Sequence, residues 1–243
     1  MKETIVALQT AVDSFIKDNS IRQWWRMKRR HLEQHDASPR GFPIKRTIRL
    51  VLGIWLAAVL LLGAAGAFAR PPGTPPIPIL IGAVVPLVVF LVAYGDSAAF
   101  RAFILTIDLP LTTAIQAWRA GGLGFLALYA HGILPGVFAW PAGLGDIAIG
   151  VTAPWIALAL VRRRGFASSR LFVAWNLLGI LDLIVAVGIG ALSAVSVWGI
   201  AGEVTTGPMA QLPLVLIPAY LVPLFIMLHL AALLQSQHAE PAK

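Results

Sequence analysis

Four ionisable side chains, Arg119, Asp146, Asp182 and His229, fall inside otherwise apolar stretches of this chain, with Asn176 and His131 as polar companions. On insertion scales a charge at the centre of a membrane helix costs on the order of 2.5–3.5 kcal/mol, so each such group needs a partner or a hydrated cavity. Carboxylates in that position can take up and release protons, an arginine can neutralise them, and histidine and asparagine can carry a hydrogen-bonded path to the surface.

Depth along the apolar stretches decides which groups can meet. At 1.5 Å of rise per residue, Arg119 lies roughly 13 Å and Asp182 roughly 17 Å from one end of their stretches. Asn176 and His229 lie roughly 8 Å from that same end, while Asp146 lies roughly 6 Å from the opposite end. Arg119 and Asp182 are thereby matched as a buried ion pair, since an unpartnered arginine in hydrocarbon is costly. A stronger reading makes Asp182 a proton carrier tuned by Arg119, with Asn176 and His229 leading out of the membrane. Asp146 follows Pro141-Ala142-Gly143-Leu144-Gly145. It is expected near a helix start, where free amides favour an anion, and His131 is at a depth from which it can hydrogen-bond to it.

The elements that must position these groups are long apolar runs. They cover residues 50–69, 77–94, 111–134, 142–161, 171–192 and 212–234, each long enough to cross about 30 Å of hydrocarbon. The expected fold is an all-α integral membrane bundle of six transmembrane helices, with a basic segment 1–49 before it and a tail 235–243 after it. The third run is the least regular, because Arg119 interrupts it and residues 100–108 can form either a short interfacial helix or part of a longer one. Asp108 before Pro110 has the form of a helix start. Pro86, Pro154, Pro218 and Pro223 each remove a backbone donor and bend their helices.

Composition supports the class: 58% of residues are hydrophobic, 12% are charged and the mean hydropathy is +0.80. Eleven of the 19 Lys and Arg residues precede residue 50, and Arg101, Arg119, Arg162, Arg163, Arg164, Arg170 and Lys243 fall on the same side when the runs alternate across the membrane. Arg70 is left on the other side. The positive-inside rule then places both termini in the cytoplasm, and the stretch from Arg119 through Pro135, Pro141-Ala142-Gly143 and Asp146 to Trp175-Asn176 resembles bacterial inner-membrane proteins of unassigned function, which implies a plasma membrane. Ala67-Phe68-Ala69 imitates a signal cleavage site, but the basic region ahead of it is too long for a secretory signal, so the first run is read as an anchored helix.

The net charge of +8 is concentrated in the N-terminal segment, which points to anionic lipid headgroups and away from nucleic acid. Ile5, Val6, Leu8, Val12, Phe15 and Ile16 fall largely on one helical face, and Trp24, Trp25, Arg26, Lys28, Arg29 and Arg30 form a basic aromatic cluster suited to the headgroup layer. The partner expected is therefore the lipid bilayer itself.

No cysteine is present, which removes thiolate nucleophiles, thiolate metal sites and disulfides together. Nucleotide loops, HExxH, GxSxG and helical histidine pairs are missing as well, so neither metal nor cofactor is expected. Gly143-x-x-Asp146 and Gly179-x-x-Asp182 share a pattern on runs of opposite direction, the form an inverted transporter repeat would leave. The leading functional expectation is a small secondary transporter or channel-like protein using intramembrane carboxylates. A non-catalytic accessory subunit and an enzyme acting on a lipid-like substrate are the alternatives.

Overall fold

The computed structural model describes residues 44–71, 74–195 and 204–239. The expected basic segment, with its aromatic cluster Trp24–Arg30, lies outside the described residues apart from its last positions, as do Glu203 and Lys243.

The described residues are all-helical. Helix α1 spans Ile44–Ala64 and α2 spans Ile77–Asp96; α3 is Ala98–Thr106, α4 is Leu109–Ile115, and a 3-10 segment Gln116–Gly122 joins α4 to α5, Leu123–Ala130. Helix α6 is Gly136–Arg162, α7 is Arg170–Ala194, and α8 is Val222–Ser236, entered through a π-helical turn at Ile217–Leu221. Five helices are long and apolar enough to cross a membrane, Ile217–Ser236 counting as one of them. There are six if the pair Ala98–Thr106 and Leu109–Ala130, bent by 79°, crosses as one unit.

Local sequence accounts for the boundaries. Ser97 caps α3 by accepting the Phe100 amide at 3.1 Å, and Asp108 caps α4 by accepting the Leu111 amide at 2.8 Å, with Pro110 in the first turn. These two caps, close in sequence, end one helix direction and start another, which makes the bend. Ser169 caps α7 on the Phe172 amide at 3.2 Å. Gly165, at φ 75°, supplies the left-handed turn that separates α6 from the short 3-10 helix before α7.

Four elements depart from the runs read in the sequence: the first is helical over Ile44–Ala64 and not 50–69, the third is split into α4, the 3-10 segment and α5 and ends at Ala130, and the fourth and last differ at their starts. Helix α6 begins at Gly136, not at Ala142, so Pro141, which lies just ahead of the run read in the sequence, is accommodated inside the helix. The last run becomes helical only at its π turn, after a non-helical stretch at 212–215.

The outside is apolar and part of the inside is polar. Ile54, Leu61, Val85, Val88, Val92, Trp155, Leu178 and Ile184 are exposed, whereas Thr113, Gln116, Arg119, Asn176 and His229 are buried. An exterior of this kind is compatible with a membrane-spanning protein, for which lipid covers the apolar faces. Glycines set the closest approach. A Cβ at Gly150 would fall on the Ala120 amide and stand 2.7 Å from the Arg119 carbonyl carbon, so α6 lies directly against the 3-10 backbone. A Cβ at Gly122 would stand 2.6 Å from the Asp146 Cβ.

Candidate functional site

Arg119 comes from the 3-10 segment. In a 3-10 helix residues three apart eclipse one another, and the buried residues of this stretch, Gln116, Arg119 and Gly122, follow that spacing, as does Thr113 just before them. They form one column facing α6, α7 and α8. Gly122 at one end lets Asp146 approach, Arg119 occupies the middle, and Gln116 and Thr113 extend the column toward the end bearing Arg162 and Arg170.

Arg119 is 2% exposed and engages four partners. Its Nε donates to Asp146 Oδ1 at 2.7 Å and one Nη donates to Asp182 Oδ2. The other Nη donates to the Gly179 carbonyl at 3.2 Å and meets His229 Nε2 at 3.2 Å. A guanidinium has only hydrogens to offer, so Nε2 of His229 is the acceptor and the ring proton sits on Nδ1. Nδ1 in turn donates to Asn176 Oδ1 at 2.9 Å, and Asn176 Nδ2 donates to the Phe172 carbonyl at 2.8 Å. The chain Phe172–Asn176–His229–Arg119 thus has one consistent set of donors and acceptors.

The neighbours hold this geometry in place. Gly179 has no side chain because a Cβ there would fall on the His229 ring, and Gly145 has none because a Cβ there would fall on the Asp182 carboxylate. Trp175 packs edge-on against His229 with ring centroids 5.3 Å apart, and its indole N–H donates to Thr152 Oγ1 at 2.8 Å. Gln116 donates to the Phe225 carbonyl at 3.3 Å, while Gln116 Oε1 and Thr113 Oγ1 are buried with no partner among the described residues. Two unpartnered buried oxygens on one column are the places an internal water would occupy.

A cavity of about 340 Å³ runs from Arg70 and Thr74 between the helices to Asp146. Its walls are mainly apolar, with Phe68, Leu80, Phe125, Phe138, Leu183 and Ala186 among them, and Arg70 and Asp146 are the charged residues among its described lining. The side chains of Asp146 and Asp182 keep 15% and 17% exposure, against 1% for Arg119. The cation is sealed and its two anions are partly open.

The structure therefore brings together Arg119, Asp146, Asp182, Asn176 and His229. Asp146 joins the group because α6 starts early: ten residues of helix put it about 15 Å from the helix start, level with Arg119, and not in a first turn near the interface. His131 does not join. It ends α5 exposed, with Nδ1 on the Ala127 carbonyl at 2.8 Å, and makes no bond to Asp146. The Gly179 carbonyl and the pair Gln116 and Thr113 belong to the centre without having been singled out in sequence. The spacing Thr113, Gln116, Arg119 was the available signal.

Residues 75–235 match the family model described as Domain of unknown function (DUF8737), and the chain belongs to that family. No curated protein and no solved structure matches it.

Proposed function

We propose that this DUF8737 chain is a small proton-coupled secondary transporter of a plasma membrane, a bacterial inner membrane by the resemblance of its Arg119 to Asn176 stretch, with six spans and both termini in the cytoplasm. The observation that carries the reading is the joint one at Arg119: two carboxylates share one sealed guanidinium, and one of them ends a cavity that reaches the Arg70 end of the bundle. Structural ion pairs do not need a cavity leading to them, whereas a site that exchanges a proton and a solute does.

The orientation rests on charge. Arg162, Arg163, Arg164 and Arg170 mark the cytoplasmic end, and Arg70 marks the outer end. The cavity is then open outward, and the column of Gln116 and Thr113 with His229, Asn176 and Trp175 closes the inward side. Alternating access requires those contacts to part as the cavity narrows. The 3-10 segment, the π turn at Ile217–Leu221 and the prolines at 141, 154, 218 and 223 are the places where helices deform at low cost. In the cycle, Asp146 and Asp182 exchange hydrogen bonds to Arg119 as one carboxylate takes a proton or a solute.

The test is the internal pH of proteoliposomes, read with an encapsulated pH dye, when small organic solutes of positive, negative and zero charge are added outside. The expected result is a solute-driven change of internal pH for one charge class, abolished in Asp146→Asn and Asp182→Asn proteins that remain folded. A pH trace no different from that of empty liposomes for every class would overturn the reading.

A further inference from the structure

The formal charge of the Arg119 centre leads to the class of solute. Arg119 contributes one positive charge and Asp146 and Asp182 contribute two negative ones. His229 contributes none, because its Nε2 accepts from Arg119 and its proton lies on Nδ1 toward Asn176. These are the titratable and charged groups that α6, α7, α8 and the 3-10 segment turn toward the centre, so it carries one negative charge in surplus. An uncompensated charge in a low-dielectric interior is strongly disfavoured. A proton or a bound cation must balance it.

The cavity says where. Asp146 lines it and Arg119 is sealed behind the carboxylate, so the face offered to a solute is negative. The walls approaching Asp146 carry Phe125, Phe138, Leu183 and Val222, whose apolar surfaces suit an apolar body and not a hydrated inorganic ion. Aromatic faces also attract an organic cation. Arg70 stands at the exposed rim, where water and salt screen its charge.

We infer that the cavity binds an organic cation with an apolar body, and that its positive charge takes the place of a proton on Asp146. The exchange balances: protonated Asp146 and the free cation give the Asp146 carboxylate paired with the bound cation, and one proton passes through the cavity to the outer solution. A solute and a proton that exclude each other at one carboxylate would move in opposite directions in the proposed cycle. That coupling rests on the transporter reading, whereas the binding step does not.

The experiment uses purified full-length protein in detergent at low buffer strength with a pH indicator dye. Benzyltrimethylammonium and tetraphenylphosphonium are the cationic probes, and N,N-dimethylbenzamide and phenylacetate are the neutral and anionic controls of similar body. The expected result is saturable binding of at least one cation, with release of about one proton per cation bound at a pH where Asp146 starts protonated, and binding of the controls weaker by about tenfold or more. Asp146→Asn is expected to bind the cation about tenfold or more weakly and to release no proton. Failure of both cations to bind, equal binding of the neutral control, or cation binding without proton release would each overturn the inference, and all three are read on the wild-type protein. Cation binding with proton release but no cation-driven change of internal pH in liposomes would leave this inference standing and remove the transporter reading.

Discussion

Replacing Asp146 and Asp182 together should cost far more stability than the two single replacements added. With both carboxylates present, Arg119 has two anions for one cation. Asp182→Asn removes one charge-assisted hydrogen bond, on the order of 1.5–3 kcal/mol, but it also removes the surplus negative charge and leaves an amide oxygen able to accept from Arg119. The net cost is about 0–1.5 kcal/mol, and the same holds for Asp146→Asn by the same balance. The double variant leaves a guanidinium at 2% exposure with no anion at all, a loss of about 3–5 kcal/mol of the kind seen when one partner of a buried pair is removed. Taken at mid-range, these costs give a coupling of about 2.5 kcal/mol between the two aspartates. Unfolding in mixed dodecyl maltoside and SDS micelles, followed by tryptophan fluorescence, would measure it. Additive costs, within about 0.5 kcal/mol, would mean that the two carboxylates do not share Arg119.

Other substitutions probe the supports of the centre. Arg119→Gln removes the cation from between two carboxylates and should destabilise by about 3–5 kcal/mol, with partial recovery on adding Asp182→Asn; lack of recovery in the same unfolding assay would contradict the charge balance. Asn176→Ala leaves His229 Nδ1 without an acceptor in a buried site, an expected loss of about 1–3 kcal/mol in detergent unfolding, whereas His131→Ala, at an exposed position, should stay within about 0.5 kcal/mol of wild type. Gly150→Ala should be among the most damaging glycine changes, on the order of 1–3 kcal/mol, because its methyl meets backbone of the 3-10 segment, while Gly53→Ala meets open space and should be neutral or stabilising.

The helical class and most of the apolar runs were legible because a long apolar stretch has few other uses. The meeting of Arg119 and Asp182 was legible from depth, since both distances were counted from helix ends that the structure places near where the sequence did. Asp146 was misplaced for a physical reason: Pro141 sits within α6 as readily as it would start a helix, and moving the start back to Gly136 carries the carboxylate from the interface to the level of Arg119. His131 looked equivalent in depth to the misplaced Asp146 and lost its partner with the correction. The 3-10 winding at Gln116–Gly122 leaves no clear mark in residue type, since no proline or capping side chain announces it, and this winding is what aligns Thr113 and Gln116 with Arg119. Glycines 145 and 150 read as generic small residues until the neighbours they admit are known, and Gly179 was picked out only for the pattern it shares with Gly143.

Two-sided access to Arg119 is the central claim. A chain without native cysteine permits a direct measurement of it. Ala186→Cys places a thiol on the cavity wall and Thr113→Cys places one beyond Arg119 on the other side. Each variant would be exposed to a membrane-impermeant thiol reagent in right-side-out and inverted vesicles. The account predicts that Ala186→Cys reacts from the Arg70 face and Thr113→Cys reacts from the opposite face, more slowly because it is buried in the outward-open form. It also predicts that the two rates shift in opposite senses when Asp146→Asn is added. A Thr113→Cys thiol that never reacts from either face, while Ala186→Cys does, would contradict the account and leave a pocket open on one side only.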